Sequence, residues 1–341
     1  MILRPCRRGT PPVAAFSRRG TIRASPPEPE IQEPLRMSYR SNLLPALLAA
    51  SALLLSPAGH AADNDSISVI DDTDREVRLD APAERIVSLA PHITEVLFAI
   101  GAGDRVIGAT DHSDYPEQAA DIPRVGGYTS LDLERILAKE PDLVVAWDSG
   151  NSRSHIERLR ELGLTVYTSE PRGFDGVASS MERMAELAGT AEQGRAEAQR
   201  FLQEIEALRA EYADRDPVPL FYQVWDQPLM TVNNEHLIAE AIEVCGGENV
   251  FGHLDRLVPR MDREAVIHAD PEVIIGGGMG EDNPAWVEAW REWDNMLAVR
   301  RDNLFFLPPS LLQRHTPRIA EGTALMCEEL QTARDRRPES P

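Results

Sequence analysis

Two glutamates in matching contexts are the first residues of this chain that point to chemistry. Glu134 lies in DLERILAKEPDLVV (132–145) and Glu264 in DREAVIHADPEVII (262–275), segments that align without gaps 130 residues apart. Both read Asp-x-Glu, then an apolar helix face, then acid-Pro-acid, then a β-branched strand. Each glutamate falls in the first turn of its helix, at the positive end of the dipole. Alone, such a carboxylate is explained by the dipole it stabilises. As a pair at equivalent places on two repeated units, the two make a two-point contact for a pseudo-symmetric partner that offers arginines.

A second set of residues suits a large, flat, partly apolar ligand. Trp147 closes LVVAW, Trp225 closes PLFYQVW, and Tyr128 follows the turn Gly126-Gly127. Carboxyl ends of strands in open α/β sheets face the ligand crevice, and aromatic faces there can stack on a ring system. Each of the three also reads as ordinary core or rim packing. His92 stands at a strand-to-helix junction and His112 in the loop DHSDYP. His112 can ligate a metal centre, donate a hydrogen bond, or simply be solvated. Gln313 and Arg314, in LLQRHTP, offer hydrogen bonds to polar groups at a ligand's edge, though Arg314 equally reads as an exposed arginine.

Catalytic signals are poor. G-x-S-x-G, H-E-x-x-H, Walker A and a complete G-x-G-x-x-G are absent from the sequence. The histidines are scattered without a Cys/His metal spacing, so neither a resident metal nor a cofactor is expected.

Strands and helices that alternate through short connections must carry these residues, which predicts a mostly parallel sheet with flanking helices. The predicted path runs from a short hairpin over Ser66–Leu79 through the strand at Ile86 and the helix opened by Pro91 to the strand Leu143–Trp147. A helix over His155–Leu162 and a strand over Leu164–Thr168 follow. Thr190 with Gln193 then reads as a capping box. It opens a helix with Ala198, Phe201, Leu202, Ile205, Leu208 and Tyr212 at helical spacing. From Ala191 to Asp214 this helix spans about 36 Å at about 1.5 Å per residue, longer than an ordinary crossover. A second α/β set follows, including a helix over NPAWVEAWREW and a closing helix from Pro317 to about Arg334. The repeat on either side of the long helix implies two α/β lobes bridged by one rigid rod, with a ligand cleft between them. The expected parts are an N-terminal lobe over 62–189, a bridging helix over 190–216 and a C-terminal lobe over 217–335.

Residues 37–61 read as a signal peptide: Arg40, an apolar run from Leu43 to Leu55, and small residues up to a cut near Ala61. The run is too short for a bilayer span, which needs about 20 residues. Residues 1–36, rich in Arg, Pro and Ser, read as a mis-assigned start or a disordered extension. Beyond Ala61 the chain carries 27 basic against 53 acidic residues, net −26. That acidity argues against nucleic acid or anionic membranes as partners. Cys245 and Cys327 remain after the leader. An even pair in an oxidising compartment reads as one disulfide, with two buried thiols as the other reading.

These words resemble the class III substrate-binding family of bacterial ABC importers, which captures cobalamin, haem and ferric siderophores. The resemblance rests on SLAPHITEVLFAIGAGDRVIG, SDYPEQA, LERILAKEPDLVVAWDSGN, EVCGGENVF and TPRIAEGTALMC, and covers most of residues 66–335. SDYP, the AW-x-x-G-N run, EVCGGEN and the two cysteines are shared with the cobalamin-binding branch. It implies two lobes joined by a long helix, a periplasmic monomer without enzymatic activity, and a corrinoid handed to an inner-membrane permease dimer. Haem or a ferric siderophore is the alternative ligand, and an α/β enzyme is a third reading. The family's docking glutamates fall on Glu134 and Glu264, and its cleft positions on His112, Tyr128, Trp147 and Ser310–Arg314. This chain departs from the best-known cobalamin binder in having His112 for a tyrosine and Tyr128 for a tryptophan. In its cleft loop, Ser310-Leu311-Leu312-Gln313-Arg314, only the arginine is kept.

Overall fold

The computed structural model describes residues 66–277 and 280–338. The leader expected over 37–61, its cut near Ala61, and residues 1–36 lie outside the described residues.

An antiparallel hairpin, β1 (Ile67–Ile70) and β2 (Glu76–Leu79), precedes the first lobe. Then come β3 (Ile86–Ser88), α1 (Pro91–Ala99), β4 (Val106–Ala109) and a small hairpin of β5 (Gly126–Gly127) with β6 (Ser130–Leu131). The lobe continues through α2 (Leu133–Leu137), β7 (Leu143–Trp147), α3 (Arg153–Glu161) and β8 (Val166–Ser169). Two long helices follow, α4 (Gly173–Leu187) and α5 (Ala191–Tyr212). The second lobe contains β9 (Val218–Gln223), α6 (Leu237–Val244), β10 (Gly247–Asn249), α7 (Arg263–Ala269) and β11 (Val273–Gly276). It ends with α8 (Ala285–Glu288), α9 (Leu297–Arg300), β12 (Leu304–Phe306), α10 (Pro309–Leu312) and α11 (Ile319–Asp335).

Both lobes are parallel sheets of four strands wound in the same way. The orders are β4-β3-β7-β8 and β10-β9-β11-β12, with Ile86 beside Leu143 in one and Ile274 beside Leu304 in the other. The sequence repeat is α2–β7 in the first lobe and α7–β11 in the second. In each lobe its strand lies between the first strand and the last, so Glu134 and Glu264 occupy the same topological place.

The inner faces of the two sheets share one core. Leu143 and Val145 of β7, and Val273 and Ile275 of β11, belong to a single buried cluster with Phe201 and Ile205 of α5 and Met326 and Leu330 of α11. The alternate residues face outward under the flanking helices: Val144 and Ala146 in the first lobe, Ile274 in the second. Strands buried on both faces therefore read as continuous apolar runs. The rod α5 is about 33 Å long at about 1.5 Å per residue. It buries Gly194, Ala198, Phe201 and Ile205 along one stripe. At Gly194 a methyl would collide with Cβ of Ala185, so only glycine lets α4 and α5 cross this closely. Seated in a core common to both lobes, the rod resists hinge bending as a free linker would not.

Several local expectations are corrected. The capping box does not form: the Thr190 side chain makes no cap hydrogen bond, and the Gln193 amide lies over Gly101 instead. α4 is an element absent from the sequence expectation, although Phe174, Val177, Met181 and Met184 sit at helical spacing. The Gly246-Gly247 helix stop leads directly into the edge strand β10. The helix over 283–293 is cut to α8 and a 3₁₀ turn (Ala289–Glu292). The segment Ser310–Arg314 is partly helical, because Leu311 and Leu312 turn inward and are buried. Ser310, Gln313 and Arg314 are left at the surface, with the Ser310 hydroxyl donating to Glu281 at 2.7 Å.

Cys245, at the end of α6, is bonded to Cys327 of α11, with Cα atoms 4.6 Å apart and both side chains buried. The bond closes a loop of 82 residues, worth about 4.5 kcal/mol in the chain-entropy treatment. Replacing both cysteines by alanine should therefore lower the melting temperature by roughly 10 °C. An unchanged melting curve would show that the shared core, not the cross-link, ties α6 to α11.

Candidate functional site

The first-lobe wall is built where β3 and β7 end. Trp147 is the last residue of β7, and its indole lies 5.0 Å from the His92 ring, edge to face, and 5.7 Å from the Tyr128 ring. Asn151 fixes this arrangement. Its Oδ1 accepts the Trp147 backbone N–H at 2.7 Å, and its Nδ2 donates to the carbonyls of Leu89 and Tyr128 at 2.9 and 2.8 Å. Gly150 has no Cβ because one would overlap the Trp147 ring. Tyr128 is 38% exposed, so the wall has an open aromatic face. His92 Nε2 and Trp147 Nε1 are buried with no hydrogen-bond partner. A neutral donor or acceptor left so costs about 1–3 kcal/mol, which an oxygen-rich ligand edge can recover.

Two histidines of the second lobe complete the cluster. His315 stacks edge to face on His92 at 5.7 Å, and His236 lies 6.5 Å from His315. His236 Nδ1 accepts the Ile238 backbone N–H at 3.1 Å and so caps α6. That nitrogen therefore carries no proton. Burial pushes the His236 pKa down to about 4, with the neighbouring His315 adding to the shift. Burial also lowers His315, opposed by Glu170, and drives His92 well below its usual value, helped by His315 and Arg314. Folded protein thus keeps three neutral imidazoles at pH values where the unfolded chain is protonated. Stability should fall as pH drops below about 6.5, with His236 contributing a loss of up to about 1.4 kcal/mol per pH unit down to about pH 4 and His92 and His315 acting in the same direction. His236→Asn keeps an acceptor at the cap and removes one titration. Its melting temperature should fall less steeply from pH 6.5 to 4.5 than that of wild type, and equal slopes would exclude His236.

Not all of the expected site residues meet. His92, Tyr128 and Trp147 form the wall. Arg314 reaches across from the second lobe to Asp114 at 2.9 Å and to the His112 carbonyl at 3.4 Å. The His112 side chain is exposed, on a backbone with φ of 64°. Trp225, 41% exposed, packs on Trp286 at 5.0 Å instead of joining Trp147. Gln313 is exposed, and its amide lies close to Gly277 at the end of β11. His236, His315 and Asn151 were not among the expected site residues, although His315 stands beside Arg314 in LLQRHTP and Asn151 is the last residue of AW-x-x-G-N.

The periplasmic binding protein family matches residues 86–311. The chain belongs to that family. The vitamin B12-binding protein of Vibrio campbellii is 35% identical over 257 residues, covering 75% of this chain and 92% of that protein. The vitamin B12-binding protein of Vibrio cholerae (strain O395) is 36% identical over 253 residues, covering 74% and 91%. The solved structure of the Vibrio cholerae periplasmic vitamin B12 binding protein BtuF superposes with a TM-score of 0.69 at 35% identity, covering 74% of this chain and 98% of that one. The apo haem-binding protein RhuT from Roseiflexus shares the fold, with a TM-score of 0.65 at 23% identity, covering 74% and 99%.

In this periplasmic binding protein two hollows open between the lobes. One of about 150 Å³ is lined by Trp147, Glu170, His236, Leu257, Val258 and His315. The other, about 620 Å³, lies between α1, α5 and α11, with Glu95, Tyr115, Arg200 and Arg318 on its walls. The glutamates of the repeat are elsewhere, exposed on α2 and α7. Neighbouring arginines are taken by aspartates: Arg135 by Asp132 at 3.0 Å, Arg263 by Asp226 at 2.8 Å. Among the described residues, neither glutamate has an ion-pair partner. No described group of three or more His, Cys, Asp or Glu side chains is arranged to hold a metal ion.

Proposed function

We propose that this binding protein captures a corrinoid, cobalamin, between its lobes and delivers it to an inner-membrane ABC importer. The observation that carries the reading is 35–36% identity to vitamin B12-binding proteins over three quarters of the chain. The open aromatic wall of Tyr128 and Trp147 supports it, since a corrinoid needs flat apolar surfaces for its faces. Arg314 and Gln313 serve its amide-bearing edge, and Trp225 with Trp286 offers a further aromatic surface on the second lobe. The corrinoid is cargo, and no resident cofactor or catalytic step belongs to this reading. The protein acts as a monomer that presents Glu134 and Glu264 to a permease dimer.

Export follows cleavage near Ala61, and the N-terminal sequence of secreted protein should begin close to Ala62. Mature protein starting at Met1 or Met37 would refute the leader.

Haem is the second reading, favoured by the neutral imidazoles of His92, His236 and His315, the form that binds a metal centre. Calorimetric titration with cyanocobalamin, haemin and a ferric siderophore separates the two. Cyanocobalamin should bind most tightly. Haemin binding with no cobalamin binding at high micromolar concentration would transfer the assignment to haem.

A further inference from the structure

Glu95 lies in α1 and is 2% exposed. A carboxylate this deeply buried persists only when paired, and both of its partners come from the other lobe. Arg318 donates to it through Nε at 2.7 Å and Nη2 at 3.3 Å, and Arg314 Nη1 lies 3.5 Å away. The outer side of the same segment rests on the first lobe more lightly. Arg314 Nη2 meets Asp114 and the His112 carbonyl, and the Arg318 guanidinium lies 3.8 Å over the exposed Tyr115 ring. One arginine thus has two unequal attachments. Nη1 lies 3.5 Å from a buried carboxylate that Arg318 also pairs, where little solvent screens the attraction. Nη2 is held by a mostly exposed carboxylate whose pull solvent screens.

We propose that Glu95 is the positioning residue of the binding site. It holds the Arg314 guanidinium at the rim of the cleft so that Nη2 exchanges Asp114 for an oxygen acceptor on the ligand's edge. The inference rests on the reading that Arg314 meets the ligand. With Asp114 counted, the two guanidinium charges are balanced; once Nη2 leaves Asp114 for the ligand, Arg314, Arg318 and Glu95 together present a single positive charge to it. Oxygen acceptors, such as the amide carbonyls around a corrinoid or the carboxylates of haem, are the chemistry it takes. Planar donors in a fixed fork lose little freedom when the acceptor changes, so the exchange needs no movement of the lobes.

The test is a double-mutant cycle on ligand affinity, with melting temperatures measured alongside. Cyanocobalamin is the probe, or haemin if the wild-type protein binds only that, which would refute the corrinoid reading and leave this one standing. Glu95→Gln should weaken binding about tenfold in wild type and by less than twofold in Arg314→Gln, because Glu95 acts through Arg314. A purely structural role would cost the same in both backgrounds and would overturn the proposal. Asp114→Asn, an exposed change, should tighten binding about threefold with the melting temperature unchanged. Unaltered or weaker binding would overturn the exchange, and this variant decides the matter if Glu95→Gln does not fold. Wild-type protein that binds neither probe overturns both readings.

Discussion

The Glu134→Arg/Glu264→Arg double variant is expected to lose ligand uptake in cells altogether while binding the purified ligand as wild type does. The reason lies in where the repeat puts the two side chains. Each is exposed in the first turn of its helix, with the nearby arginine already taken by an aspartate, and among the described residues neither carboxylate has an ion-pair partner. If the glutamates dock on arginines of the permease, as proposed, a charge reversal at both places removes two charge-assisted contacts and sets arginine against arginine. Single reversals should leave partial uptake, since the other lobe still docks. The decisive pair of measurements is uptake in cells and ligand affinity in solution. Loss of affinity in a folded double variant would place the glutamates in the cleft.

Trp147→Ala should weaken cobalamin binding about thirtyfold or more, on the rule that truncating an aromatic anchor commonly costs about 2 kcal/mol or more. Trp147 is central to the wall: it touches both His92 and Tyr128, and Asn151 holds its backbone. The substitution also removes packing from the shared core, which Trp147 borders, so its melting temperature must be read beside its affinity. Tyr128→Ala offers the control, because that ring is more exposed and should cost affinity with little stability. His112→Ala should do less than either, since Arg314 uses its backbone carbonyl and not its ring. Wild-type affinity in Trp147→Ala would remove the aromatic wall from the site.

The fold was legible from local signals. Acid-Pro-acid followed by β-branched residues marks a helix ending and a buried strand wherever it occurs, and its recurrence 130 residues on announced two lobes of one topology. The stripe from Ala198 to Ile205 announced the rod, and the count of two cysteines beyond the leader announced the bond that joins them. The candidate site was legible only in part, on the first lobe, where strand-end aromatics and the AW-x-x-G-N run lie close together in the chain. Pairings across the cleft left no such mark. Glu95 meets Arg318 over 223 residues, and His92 meets His315 although each alone reads as a loop or junction histidine. Trp225 ends a strand just as Trp147 does, yet it turns to Trp286. Local patterning sets the elements because helix and strand periodicities repeat over a few residues. Which side chains then meet depends on how two sheets and a rod close over a common core, and only the tertiary structure decided that Arg314 would lie against Glu95.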